Sequence, residues 1–269
     1  MDFSEYFEPV NINEGDLNFD YKDNQFLNSI TLLEDQDVSE FNIAIIGVGE
    51  ERNSYNIGCA ESPNSVRKYL YRLINHNSSS KIIDLGNLKI GATTNDTYFA
   101  LSSIIEFLVK KSVLPIIIGG SQDLTYANFL GYKNLEQTVN LVAIDSKFNL
   151  GEAEEEIDSH NFLTKIILQQ PNFLFNYSNI GYQSYFTDKE EVELMSKLYF
   201  DAYRLGQVQK DIEEVEPIVR NADIVSFDVS AIRQSDAPGN KNTSPNGFYG
   251  EQGCQISRYA GLSDKVTSI

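Results

Sequence analysis

The stretch VNLVAIDSKFN, residues 139–149, contains the pattern from which the fold class is predicted. Its apolar run Val139–Ile144 has the length of a buried strand and stops at a polar loop that begins with Asp145. Similar short runs lie at residues 43–48, 81–85, 114–118, 178–181, 224–229 and 266–269, with a weaker one near 202–205. Longer stretches of helical period separate them. This alternation predicts an α/β protein, a three-layer α/β/α sandwich with a mostly parallel sheet.

Helices are predicted from their first residues and from apolar spacing. Ser62 followed by Pro63 is typical of a helix start. Four apolar residues at helical spacing predict the face of this helix that turns to the core: Val66, Leu70, Leu73 and Ile74. A second helix is predicted to begin at Asn95 or Asp96 and to end at Lys110. Further helices are predicted at residues 161–169, 188–198, 208–220 and 250–260.

Composition narrows the functional classes. The 269 residues carry a formal net charge of −18, from 39 acidic and 21 basic side chains. This charge repels nucleic acids and anionic membrane surfaces, so neither is expected as a partner. The longest apolar runs are too short to cross a bilayer, and the first ten residues lack the basic and apolar segments of a signal peptide. A cytoplasmic protein is expected, in which Cys59 and Cys254 are reduced.

Three loops are the candidate binding regions, because ligands of parallel α/β sheets bind at the carboxyl ends of the strands. The loops read GGSQD at residues 119–123, DSKFN at 145–149 and SFDVS at 226–230. Side chains two positions apart on a strand project the same way. Asp145, Lys147 and Asn149 are therefore expected to share one site, and so are Asp228 and Ser230.

The order and spacing of these loops resemble the ureohydrolase superfamily of arginase, agmatinase and formimidoylglutamase, whose loops read GG-x-H, D-A-H-x-D and S-x-D-x-D. The string GVGEE at residues 47–51 resembles the end of the family's first strand. SDAPG at 235–239 and SPNG at 244–247 are most similar to the formimidoylglutamase branch. The resemblance covers residues 42–269 as an arginase-like domain, and it leaves residues 1–41 as an acidic, irregular N-terminal extension.

The resemblance implies a metal centre that this chain has largely lost. In the family, two histidines and four aspartates bind two Mn²⁺ ions, which activate a water for attack on a guanidino or amidino carbon. The matching positions here are Gln122, Asp145, Lys147, Asn149, Asp228 and Ser230. Only Asp145 and Asp228 keep the family's residue type, so these two are the expected ligands of any bound metal. We expect the Lys147 ammonium to lie where a metal would lie and to neutralise both aspartates in an ion pair.

The two histidines, His76 and His160, do not fall on family ligand positions. His160 follows the second motif at about the distance of the family's proton-shuttling histidine, which makes it the candidate catalytic residue. A histidine at a helix start that bonds the nearby backbone explains the same position equally well.

These departures favour a pseudoenzyme that binds a protein partner or a small guanidino or amino-acid ligand, without a cofactor and without hydrolysis. The alternative is a metal-dependent amidinohydrolase of the arginase or formimidoylglutamase type, with Mn²⁺ and with His160 as acid or base. A third hypothesis, metal-free binding of a guanidinium by the two aspartates, requires Lys147 to turn away. Relatives commonly form trimers or hexamers, so a homo-oligomer stays open. The resemblance places a further strand at Ile269, where the sequence stops, and the expectation is a fragment or a fold without its last layer.

Overall fold

Mostly parallel strands form two sheets, and each sheet lies in a different unit of the chain. The structure, a computed structural model, describes residues 1–76, 79–242 and 244–269, and describes Asp16 without its side chain. The first unit comprises Met1–Gly131 and Ser268, and the second comprises Tyr132–Thr267 and Ile269. The expected α/β class with mostly parallel strands is confirmed. The division between residues 41 and 42 stays a prediction.

The first unit is built on a five-stranded sheet. Its strands are β1 Phe7–Glu8, β2 Ile30–Leu32, β3 Ile43–Val48, β4 Ile82–Leu88 and β5 Leu114–Gly119. The order is β1-β4-β3-β5, β2 also pairs with β4, and the β1–β4 pairing is antiparallel while the others are parallel. The α-helices that begin in this unit are α1 Phe3–Tyr6, α2 Ser62–Leu70, α3 Thr94–Lys110 and α4 Leu124–Lys133. Short 3-10 helices lie at Gly15–Leu17, Phe26–Ser29, Val38–Glu40 and Cys59–Glu61.

The second unit carries the loops of interest on a four-stranded parallel sheet. Its strands are β6 Val139–Ile144, β7 Leu174–Tyr182, β8 Asp201–Arg204 and β9 Ile224–Phe227, in the order β8-β7-β6-β9. The helices are α5 Phe162–Leu168, α6 Lys189–Lys197, α7 Leu205–Lys210, α8 Glu216–Arg220 and α9 Gly250–Gly261, with 3-10 turns at Ile212–Val215 and Val229–Ala231. Because β6 pairs with both β7 and β9, the loop after β6 lies beside the ends of both neighbours.

Helix α3 shows how local sequence sets an element. Thr93 accepts a hydrogen bond from the Asp96 N–H at 3.2 Å, and the Asp96 carboxylate accepts from the Thr93 N–H at 2.8 Å. This reciprocal cap starts the helix slightly before the predicted Asn95 or Asp96. Its apolar residues Leu101, Ile104, Ile105 and Leu108 are buried, and Val109 is half-buried.

The prediction that an apolar stripe of α2 faces the core is wrong. Val66, Leu73 and Ile74 are 42%, 58% and 48% exposed, whereas Arg67 is fully buried. Arg67 donates from Nε and Nη2 to the Asp84 carboxylate of β4 at 2.9 and 2.8 Å. A buried, bidentate ion pair therefore occupies the face that apolar residues were expected to fill.

Three other elements differ from the sequence prediction. The helix expected over residues 208–220 is divided into α7, a 3-10 turn and α8, where Pro217 occupies the first turn of the last piece. The stretch 266–269 contributes no named strand to the described chain, and the Thr267 N–H donates to the Asp223 carbonyl at 2.9 Å. Helix α4, which the sequence did not predict, follows β5 directly. Within the described ranges, no helix is long and apolar enough to cross a membrane.

Candidate functional site

The ends of β6 and β9 bring two aspartates side by side. Ile144 of β6 is in register with Phe227 of β9, so the next residues, Asp145 and Asp228, are neighbours across two parallel strands. The Asp228 N–H donates to the Ile144 carbonyl at 3.0 Å, which extends the pairing by one residue. Asp145 is 1% exposed, and Asp228 is half-buried. The register of the sheet therefore brings the two aspartates into one site.

Donors from the protein hold both carboxyl groups. Asp145 accepts hydrogen bonds from the Lys147 backbone N–H at 3.0 Å and from the Asn149 side-chain amide at 2.6 Å. Asp228 accepts from the Ser230 backbone N–H at 2.7 Å. Asn149 has a φ of 57°, in the left-handed region that asparagine tolerates better than most residues. The loop after β6 thus turns back so that the amide of Asn149 faces Asp145.

Lys147 influences the two aspartates through space. Its side chain is half-buried, and Nζ lies 5.8 Å from the ring centroid of Phe186. Its positive charge counters the rise in the pKa of both Asp145 and Asp228. Among the residues that the structure describes, however, Lys147 makes no direct ion pair with either carboxylate. The direct ion pair predicted between Lys147 and the two aspartates is therefore not formed, and the lysine charge acts on them from a longer distance.

Burial and mutual repulsion make ionisation of the aspartates difficult. Burial first, and the charge of Asp228 second, raise the pKa of Asp145 to about 8. Burial also raises the pKa of Asp228 above its ordinary value. At neutral pH, Asp145 is thus mainly a neutral acid, which relieves much of the like-charge repulsion in this pocket.

His160 lies close enough to Lys147 to feel its charge. It precedes α5, it is half-buried, and its backbone N–H donates to the Asp158 carboxylate at 2.7 Å. Burial first and the Lys147 cation second lower the pKa of His160, while Asp158 opposes them. A neutral imidazole near Lys147 is compatible with an acid or base and with a residue that shapes the helix start.

Gln122 lies in the first unit, in the turn between β5 and α4, and is half-buried. The next residue, Asp123, is fully buried and was not predicted as a site residue. The Tyr98 and Ser121 hydroxyls donate to its carboxylate, and burial raises its pKa. The sequence signal for this buried carboxyl group was its place in the string GGSQD.

Two residues that support the site escaped the sequence analysis. Asn179 of β7, fully buried, donates from its side chain to the Lys147 carbonyl at 2.8 Å. Gln183, which follows β7, donates from its backbone N–H to the Ser146 carbonyl at 2.9 Å and from its side chain to the Asn246 carbonyl at 3.1 Å. The polar residues that interrupt the buried run of β7 were the sequence signal for this supporting role. Asn179 and Gln183 fix the loop after β6 and join it to the SPNG turn.

Comparison with known proteins identifies the family. The family model described as the Arginase family matches residues 41–269. The chain belongs to the arginase family, within the ureohydrolase superfamily that its loops resemble.

Curated relatives are formimidoylglutamases. The protein of Lysinibacillus sphaericus is 23% identical over 222 residues, which cover 76% of this chain and 68% of the relative. That of Staphylococcus epidermidis is 25% identical over 244 residues, covering 83% of this chain and 74% of the relative. These matches confirm the predicted likeness to the formimidoylglutamase branch.

Solved structures share the fold. Formimidoylglutamase from Bacillus subtilis matches with a TM-score of 0.82 at 18% identity, over 93% of this chain and 84% of that chain. Formiminoglutamase from Trypanosoma cruzi, solved with Mn²⁺, matches with a TM-score of 0.78 at 17% identity, over 87% and 85%. At these identities the likeness establishes an arginase-like fold.

The side chains present do not fit a pair of manganese ions. Within residues 1–76, 79–242 and 244–269, no three His, Cys, Asp or Glu side chains come together as a candidate metal cage. At the matching positions of the second unit, Lys147 is a cation, and Asn149 turns N–H donors toward Asp145. Divalent ions need several oxygen or nitrogen lone pairs at once.

Proposed function

We propose that this chain is a non-hydrolytic member of the arginase family that binds a small ligand at the carboxyl ends of β6 and β9. One observation carries the proposal: at Lys147 the chain has a cation whose charge acts on both Asp145 and Asp228, at a position where the family has a metal-binding histidine. A protonated lysine has no lone pair to offer a metal ion, and its charge repels the ion. The Asp145 carboxyl group, a candidate metal ligand, is instead held by hydrogen bonds within the protein.

Charge supports the same proposal. Two divalent ions carry +4, whereas Asp145 and Asp228 supply at most −2 and Lys147 adds +1. An ammonium ~4–6 Å from a single divalent ion costs roughly 5–8 kcal/mol at an effective dielectric constant of ~20. Lys147 therefore opposes even one bound ion, and we propose that the protein works without a metal cofactor.

A metal-dependent amidinohydrolase is the second candidate function, and the comparisons favour it. The curated relatives carry the name formimidoylglutamase, and the Trypanosoma cruzi structure was solved with Mn²⁺. The expected reaction would be C–N hydrolysis of a guanidino or formimino compound with Mn²⁺, and His160 is the remaining candidate acid or base. We place this function second because the side chains of the second unit at the family's ligand positions include few groups that bind Mn²⁺.

The ligand class and setting are part of the proposal. A small guanidino or amino-acid ligand suits a pocket that contains carboxyl groups and an ammonium, although a protein partner is also open. The free cysteines, Cys59 and Cys254, support a cytoplasmic setting, since thiols stay reduced there. Homo-oligomerisation is kept as a hypothesis.

Metal analysis combined with an activity assay tests the proposal. The protein is purified with excess Mn²⁺, and the bound metal per chain is measured alongside release of urea or formamide from arginine, agmatine and formiminoglutamate. The Staphylococcus epidermidis formimidoylglutamase serves as the positive control. We expect no stoichiometric metal and no turnover. Stoichiometric Mn²⁺ with turnover would establish the second candidate instead.

A restoration experiment within the second unit adds a matched comparison. The triple variant Lys147→His, Asn149→Asp, Ser230→Asp replaces a cation and two neutral side chains with metal-binding groups around Asp145 and Asp228. We expect this variant to bind Mn²⁺ where the wild type does not. Stoichiometric Mn²⁺ in the wild type as well as in the variant would contradict the proposal.

A further inference from the structure

Lys147 projects from a backbone that is fixed on both sides. Its N–H donates to the Asp145 carboxyl at 3.0 Å, and its carbonyl accepts from the Asn179 side chain at 2.8 Å. Asn179 is fully buried on β7, so this anchor belongs to the sheet itself. The lysine side chain therefore starts from a rigid position at the carboxyl ends of the strands, as groups that recognise ligands do.

The ammonium of Lys147 has unused hydrogen-bonding capacity. An ammonium carries three donors, yet across the described residues 1–76, 79–242 and 244–269 none accepts a hydrogen bond from Nζ. The neighbouring carboxyl groups are held by other donors, namely the backbone N–H groups of Lys147 and Ser230 and the amide of Asn149. A half-buried ammonium whose donors have no acceptor is incompletely satisfied, and a ligand that supplies an acceptor oxygen would complete its hydrogen bonding.

An exposed aromatic wall, formed by Tyr185 and Phe186, stands beside this ammonium. The two rings are 59% and 38% exposed, and their centroids lie 4.8 Å apart at 70°. The Tyr185 hydroxyl donates to Gln183 and accepts from the Asn246 amide at 2.9 Å, which fixes the ring. Fixed, exposed rings contact a ligand at low entropic cost.

From these contacts we propose that the surface formed by Lys147 and the aromatic wall binds the carboxylate of a small organic acid, with the Lys147 ammonium contacting the carboxylate and the aromatic wall covering the apolar part of the ligand. The inference rests on the proposed function, because a bound metal pair would require Lys147 to leave. A single carboxylate matches a single ammonium. A phosphate dianion would need more donors than a single ammonium supplies.

Matched acid and amide probes test this inference. Benzoate is compared with benzamide, and L-phenylalanine with L-phenylalaninamide, by isothermal titration calorimetry on the purified full chain. Within each pair only the carboxylate changes, while the ring that would contact the aromatic wall is kept. We expect at least one acid to bind about 10-fold more tightly than its amide or better. Tighter binding of phenylalanine than of benzoate would assign the site to zwitterions, and the reverse order to simple acids.

Three variants locate the binding. Lys147→Met should weaken binding of the acid by about 10- to 100-fold, and Lys147→Arg should retain most of it. Lys197→Met, at an exposed lysine of α6 whose side chain is 74% exposed, is the matched control and should bind like the wild type. Equal binding of acids and amides, wild-type affinity in Lys147→Met, or no binding by any acid would each overturn the inference.

The same protein batches separate the two proposals. Stoichiometric Mn²⁺ with turnover would contradict the proposed function. Metal-free protein without turnover that shows no preference for acids would contradict the carboxylate site alone.

Discussion

Replacing Asp145 by asparagine is expected to stabilise the protein at neutral pH. Burial first, and the charge of Asp228 second, raise the pKa of Asp145 from 3.8 to about 8. At pH 7 the unfolded chain ionises this carboxyl, whereas the folded pocket holds it as the neutral acid. Folding therefore takes up a proton, and protonating a carboxyl with a pKa of 3.8 at pH 7 costs about 4 kcal/mol.

Asparagine keeps the shape of the side chain without this cost. Its oxygen can accept the Lys147 N–H, but Asn149 must rotate its amide so that two NH₂ groups do not face each other. A rearranged neutral hydrogen bond is worth about 1 kcal/mol, so a net gain of about 2–3 kcal/mol is expected at pH 7.

The pH dependence has a defined sign. A carboxyl whose folded pKa is raised contributes stability that is fully present below its unfolded pKa of 3.8 and is lost as the pH rises through about 8. The advantage of Asp145→Asn should therefore be close to zero at about pH 4 and should grow up to about pH 8. Urea unfolding followed by circular dichroism measures it, with Asp35→Asn at an exposed position as the control. A variant less stable than the wild type at pH 7, or a difference independent of pH, would show that the folded protein does not hold Asp145 as the neutral acid.

Three further predictions concern the ion pair of the first unit, the field of Lys147 and a strained glycine. Arg67→Met leaves the Asp84 carboxylate buried without its partner. The variant should lower the free energy of unfolding by about 3–5 kcal/mol, measured by urea titration. A loss below about 1 kcal/mol would contradict this prediction. Lys147→Met should raise the pKa of His160, because the lysine cation is, after burial, the second cause of its lowered pKa. An NMR titration measures this pKa, with the chain's other histidine as internal reference. An unchanged pKa of His160 would show that the Lys147 ammonium does not lie near it. Gly181→Ala should destabilise the second unit by about 1–3 kcal/mol, because φ is +106° and the added Cβ would lie 2.5 Å from a Phe248 ring carbon. Thermal melting measures the change. An unchanged melting curve would show that the Phe248 ring moves to make room for the methyl group.

The sequence predicted most of the sheet because buried parallel strands are short apolar runs that need no distant information. The runs at β3 and β6 match their strands residue for residue. The pattern failed where a long-range contact decided the outcome. On α2, the partner of Arg67 lies on β4, and no helical period can reveal that pairing.

The site was predictable to the extent that strand ends determine it. Asp145 and Asp228 follow directly from the register of β6 and β9. The left-handed turn at Asn149 and the anchor from Asn179 could not be predicted, because they depend on how the loop after β6 returns over β7. That return separates the Lys147 ammonium from a direct ion pair and leaves it beside Phe186.

Anomalous diffraction at the manganese edge, from crystals grown with excess Mn²⁺, tests most directly whether the pocket excludes a metal. With Asn149 donating to Asp145 and an ammonium nearby, no anomalous peak is expected between Asp145 and Asp228. A strong peak coordinated by both carboxylates, with Lys147 turned away, would show that the site binds manganese.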